Sequence, residues 1–119
     1  GDSAEGLLFP ALRLLMVDSL PKNHPQKAIL TKYKNDYETR FKSDVTTFGG
    51  HAYDALSLVV AALKAVGPDR AKIRDHIENT KGFVGTGGIF NYSPSDHVGL
   101  HKDALELYTV KNGAFVLAK

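Results

Sequence analysis

The stretch "GFVGTGGIFNYSPSDHVGL", Gly82–Leu100, holds five glycines, a proline, an aspartate and a histidine in one short run. Three chemistries compete for it: a phosphate cradle, a metal site, or a turn of the chain. A dinucleotide loop has the pattern G-x-G-x-x-G with a helix behind it, whose N-terminal amides face the phosphates. Starting at Gly85, that pattern requires glycine where Phe90 stands, and the helical period has already stopped at Gly82. The P-loop pattern fails as well, because no Gly-Lys-Ser/Thr follows. His97 and His101, beside Asp96 and Asp103, have a spacing that would ligate a metal on a helix. Gly99 sits between them in a segment with no helical pattern. "SPSDH" reads as a turn, with Ser93-Pro94 setting φ and Asp96 bonding nearby backbone. The stretch is therefore expected to be a loop feeding a strand, with neither cofactor nor metal. Its glycines serve positive φ or close backbone approach.

Upstream, "EGLLFP" is a short apolar run expected to form a buried strand that Pro10 closes. "ALRLLMVDSLP" is apolar nearly all round and reads as a short buried helix or turn. From Pro25 to Phe41, Ile29, Tyr33, Tyr37 and Phe41 recur every four residues, an apolar stripe on an exposed helix. "SDVTTFGG" reads as an extended linker or short strand. "HAYDALSLVVAALKAVG" carries the strongest helical pattern, with Ala52, Ala55, Leu56, Val59, Leu63 and Val66 on one face and Gly67-Pro68 as the stop. "DRAKIRDHIENT" is a shorter helix with Asp69 near its start and Ile73 and Ile77 as its buried pair. Downstream, "GGIFNYS" and "ALELYTVKNGAFVLA" read as strands, and Asn112-Gly113 is a hairpin signal.

The chain has 119 residues, enough for one small core, with 43% hydrophobic and 24% charged residues, as in a globular chain. A net charge of +2, scattered along the sequence, lacks the clustered Lys and Arg of a nucleic-acid footprint. No apolar run approaches the roughly 20 residues of a membrane span; Ser57 and Lys64 interrupt the longest, Ala55–Val66. The acidic, small start "GDSAEG" is not expected to be a signal peptide. Without cysteine, disulfides and thiol catalysis are excluded.

No catalytic residue is expected. Ser57, His51 and Asp54 include the residue types of a hydrolytic triad, but they share one short helix with no nucleophile elbow. Tyr33 and Tyr37 are expected to be core-facing aromatics rather than a stacking platform. The order of elements is the odd feature. One early strand, then helices, then late strands lacks the strand-helix alternation that builds a parallel sheet. A lone buried strand leaves its backbone groups unsatisfied. The chain therefore reads as part of something larger, an incomplete α/β fold.

The segments "AEGLLFPA", "LPKNHPQKA", "TTFGGHAYDAL", "IRDHIENTKGFVGTGGIFNYSPSDHVGL" and "VKNGAFVL" together resemble the C-terminal part of the periplasmic solute-binding proteins of branched-chain amino acid ABC transporters. The resemblance implies a partial type I periplasmic-binding-protein fold, in which two α/β lobes joined by crossing strands close on a ligand. On it, residues 1–10 are a hinge-crossing strand, 11–81 mainly the helical part of one lobe, and 82–119 the return crossing and terminal hairpin of the other. It implies a solute of the branched-chain amino acid, small amide or aromatic-acid class, a transporter permease as partner, and a periplasmic or lipid-anchored location. A sensor domain feeding a signalling receptor uses the same fold and is the alternative. The resemblance places Phe9, Pro10 and Ala11 at the cleft end of the first strand, with Thr47, Phe48, Gly49 and His51 at the lead-in to the long helix. For Phe48, plain core packing stands as the competing reading. The fragment is expected to be unable to bind solute alone and to self-associate as a dimer through uncovered apolar faces.

Overall fold

Pro10 does not end the first strand. In the computed structural model, which describes residues 2–118, β1 runs Leu8–Leu12. The expected segment bounds at Gly1 and Lys119 lie outside the described residues. β1 pairs antiparallel with β4 (Leu105–Lys111), Pro10 opposite Leu107, and β4 pairs with β5 (Ala114–Leu117). The order β1-β4-β5 makes β1 an edge strand, where alternate N–H groups have no ladder partner to lose and proline is tolerated. The strand is thus neither lone nor buried: β4 satisfies one edge of it, and Leu8 is 59% exposed. At the hairpin, Asn112 and Gly113 take φ of 54° and 73°, the left-handed pair that a two-residue turn requires. The Glu5 carboxylate accepts from both of their amides, tying the N-terminal segment to the turn.

After a 3-10 segment, Arg13–Ser19, the chain enters α1, Lys27–Phe41. Leu14, Val17, Leu30 and Tyr33 form the buried cluster, with Ile29, Tyr37, Val45 and Tyr53 packed against it. The four-residue stripe of α1 grades outward: Tyr33 is buried and Phe41 is exposed. Tyr33 meets Tyr37 at 5.9 Å and Tyr53 at 5.0 Å in tilted ring pairs, the core-facing role expected of it.

The next helix starts earlier than the sequence indicates. α2 runs Thr47–Val66, so "TFGG" is its first turn and not a strand. Thr46 caps it, its hydroxyl oxygen accepting from the Gly49 amide at 3.2 Å, a side-chain signal that overrides the β-branched character of the stretch. The buried face of α2 is also not the expected one. Gly50, Asp54, Leu58 and Ala62 face inward, whereas Leu56, Val59 and Leu63 are 65%, 39% and 40% exposed. α3, Arg70–Glu78, begins at Asp69, whose carboxylate accepts from the Ala71 and Lys72 amides, and Ile73 and Ile77 are half-buried. "GGIFNYS" shortens to β3, Ile89–Phe90, paired only with β2, Phe83–Val84.

The inward polar residue on α2 explains which face turns in. One Asp54 carboxylate oxygen accepts from the Thr86 amide at 2.7 Å; the other accepts from the Gly87 amide at 2.7 Å and the Thr86 hydroxyl at 3.0 Å. Asp54 is 3% exposed, and a buried carboxylate is tolerated only where its lone pairs are met. A Cβ at Gly85 would lie 2.8 Å from that carboxylate, so glycine there serves close approach. On the other side of the loop, the Gln26 amide donates to the carbonyl of Gly85 at 2.9 Å.

Two outcomes follow from this packing. Asp54→Asn turns an NH2 group toward a donor and removes the charge that strengthens three hydrogen bonds; it should lower stability by about 3 kcal/mol in urea denaturation. A loss within experimental scatter would show the clamp to be energetically idle. Tyr108, fully buried, donates to the Leu12 carbonyl at 3.0 Å, and burial pushes its pKa up to about 12. The folded state therefore favours the protonated phenol: its contribution is complete below the ordinary tyrosine value of about 10 and is lost as pH rises toward about 12. Tyr33 and Tyr92 are raised in the same direction, mainly by burial. Tyr108→Phe should cost about 1 kcal/mol at neutral pH and flatten the alkaline decline, read as denaturation midpoints across that pH range.

Candidate functional site

The Thr47–His51 turn is shaped by what its glycines touch. A Cβ at Gly49 would stand 2.6 Å from the Tyr33 hydroxyl, and one at Gly50 would stand 2.7 Å from the Thr86 hydroxyl. Both positions press backbone against the body of the protein, which leaves the neighbouring side chains on the outside. Phe48 is 83% exposed and His51 is exposed, while Thr47 is half-buried. Core packing is thereby ruled out for Phe48 within these 119 residues. A bare phenyl ring on a capped, immobilised helical turn is an apolar contact surface held ready at little further entropic cost.

The other group of expected site residues sits in the sheet. Phe9 stacks at 5.7 Å on Tyr108 and meets Phe115 edge-on at 5.2 Å, so its ring is engaged in packing. Pro10 is exposed, and Ala11 is half-buried opposite Glu106. The structure keeps Phe9, Pro10 and Ala11 on one element and Thr47, Phe48, Gly49 and His51 on another. Three surface cavities of about 360, 370 and 180 Å³ are lined by residues outside both groups.

The remaining motifs have local partners. Asp54 is committed to the Gly85–Gly88 loop, and Ser57 and His51 make no side-chain hydrogen bond to it. His97 Nε2 lies 2.9 Å from a Glu78 carboxylate oxygen, closing the loop onto α3. The Asp96 carboxylate accepts from the amides of Gly99 and Val98, which holds it below the usual carboxylate range and makes "SPSDH" a turn. Among the described residues no group of three or more His, Asp or Glu is gathered as a metal site would require. Nor, among the described residues, is any helix long and apolar enough to cross a membrane.

Sequence reasoning missed Gln26, Thr86 and the buried role of Asp54. The partners are 32 and 60 residues apart in sequence, and no local pattern announces them. That Asp54 is the one carboxylate within α2 is the only signal that points to a buried acceptor.

Solved structures share this fold. An extracellular ligand-binding receptor from Rhodopseudomonas palustris HaA2 is 27% identical, with a TM-score of 0.87 over 99% of this chain and 35% of its own. A leucine-binding protein from Thermotoga maritima MSB8 is 23% identical, with a TM-score of 0.71 over 100% of this chain and 31% of its own. An ABC transporter substrate-binding protein from Desulfitobacterium hafniense, solved in complex with Leu, is 20% identical, with a TM-score of 0.73 over 98% and 32%. The chain thus spans about a third of the length of the solved structures it matches. No curated protein matches it. The profile of the family described as periplasmic binding protein matches residues 8–114, and the chain belongs to that family as a partial type I periplasmic-binding-protein fold.

Proposed function

We propose that the chain forms the C-terminal third of a solute-binding component of an ABC importer, taking branched-chain amino acids or related small amide or aromatic-acid ligands. The observation that carries this reading is Phe48, an apolar ring left 83% exposed on a turn whose backbone is pinned on two sides. Such a ring fits the apolar side chain of an aliphatic or aromatic ligand. Relatives of the same fold include one named for leucine and one solved with it.

In this reading β1 and β4 are the crossing strands, which suits their lying side by side at the two ends of the helical segment. Residues 11–81 belong mainly to one lobe, and residues 82–119 carry the return crossing and the terminal hairpin of the other. The Gly85–Gly88 loop is still held to α2 before the chain crosses at β4. Lobe closure on the solute creates the form a permease recognises, a hinge motion with no covalent chemistry. The location is periplasmic, or extracytoplasmic with a lipid anchor. Thr47, Phe48, Gly49 and His51 line the solute from one lobe; Phe9, Pro10 and Ala11 stand at the crossing. A signalling receptor with the same ligand-binding fold is the alternative, and a signalling module fused to the chain's parent gene would favour it.

Titration calorimetry with leucine separates these statements. The 119-residue chain alone should give no heat of binding. The two-lobed protein carrying it should bind, and Phe48→Ala should weaken that binding about tenfold. An unchanged affinity would remove Phe48 from the site. The bare face of Leu56, Val59, Val60 and Leu63 should also make the isolated chain self-associate. Light scattering should report a dimer, and a monomer at high concentration would overturn that expectation.

A further inference from the structure

The polar side chains that hold the Gly85–Gly88 loop do not stop at the loop. Arg13 follows β1 directly, and its Nε donates to the Glu106 carboxylate on β4 at 2.9 Å. The same guanidinium donates to the Gln26 side-chain oxygen at 3.3 Å and to the Asp103 carbonyl. Gln26, 1% exposed, passes its own amide hydrogens to the carbonyls of Gly85 and Thr86. The amides of Thr86 and Gly87 then end on Asp54 of α2. Thr86 in turn packs close to Gly50, two residues from Phe48, where a Cβ would stand 2.7 Å from the threonine hydroxyl. One series of hydrogen bonds therefore runs from the sheet strands to Asp54 on α2, and close packing of Thr86 on Gly50 adjoins it to the exposed turn.

We propose that Arg13 is a positioning residue, whose fork on Glu106, Asp103 and Gln26 fixes the Phe48 turn relative to β1 and β4. The inference rests on the solute-binding reading for its purpose, since a closing hinge needs its crossing strands and its ligand-facing turn in register. Its physical content is independent of that reading. Only a guanidinium has the planar set of donors to reach three acceptors on separate elements at once; lysine offers the same charge at a single point. Every link is part-buried or buried except the one to the Asp103 carbonyl, so water competes weakly for most of them.

Arg13→Lys in this chain, followed by amide hydrogen exchange, tests the relay. The amides of Thr86, Gly87 and Gly50 should exchange about fivefold faster, while Asn79 at the end of α3, outside the relay, should not change. Acceleration confined to β1 and β4 would overturn the proposal, since Arg13 would then only fasten the two strands. Uniform acceleration throughout would overturn it too, as a loss of global stability. A second reading comes from Arg13→Gln combined with Asp54→Asn. These side chains do not touch, yet their effects on the unfolding equilibrium constant should depart from multiplicativity by about threefold; simple multiplication would overturn the relay. Calorimetry with Phe48→Ala tests the solute reading separately, so either idea can fail while the other stands.

Discussion

The Asp54 carboxylate is the constraint on which the other contacts depend. A buried anion on an apolar helix must collect donors or be turned to solvent. Here it collects two backbone amides and a hydroxyl from one loop. That choice fixes the rotation of α2, sets the distance of the loop from the helix, and leaves room only for glycine at Gly50 and Gly85. The Gly-rich loop is thus an anion cradle after all, one filled by the protein's own side chain.

Rotation of α2 in turn decides what its first turn presents. With Asp54, Leu58 and Ala62 inward, Phe48 stands six residues back from Asp54, about 120° away around the helix axis. Phe48 points away from the body while Gly49 and Gly50 close onto Tyr33 and Thr86. Exposure of that ring therefore follows from an electrostatic requirement one to two turns further along the helix. Local features of "TTFGG" would not produce it alone.

Much of the backbone plan was legible in the sequence because its signals are local. The Asn112-Gly113 hairpin, the α3 cap at Asp69 and the turn at "SPSDH" each depend on residues within a few positions. The errors fall where a distant partner intervenes or where two local signals compete. Pro10 suggested the end of a strand, because nothing nearby shows that β4, nearly a hundred residues on, makes β1 an edge. Thr46 and Thr47 suggested an extended segment, because a capping hydroxyl is visible only once the helix behind it is placed. For the candidate site, residue type brought Phe48 to notice, but its exposure depended on the burial of Asp54.

The apolar face of α2 is the most informative of these departures. Periodicity marked Leu56, Val59 and Leu63 as the packing side, and they are exposed. A hydrophobic pattern reports every surface that a helix buries in its complete setting, and two separate faces can each be written into one helix. α2 has both: an inward face organised by a carboxylate, and an outward apolar face of greater extent. The sheet repeats the arrangement, with Leu8, Leu105 and Leu107 exposed on strands whose other side holds Phe9 and Tyr108. Two elements with a second apolar side, in a chain spanning about a third of its structural relatives, are what a two-lobed protein would need where this portion meets the rest. On the solute-binding reading, the strongest periodic signal in the sequence describes contacts beyond these 119 residues, and the weaker inward pattern, with Asp54 at its centre, describes the fold they make among themselves.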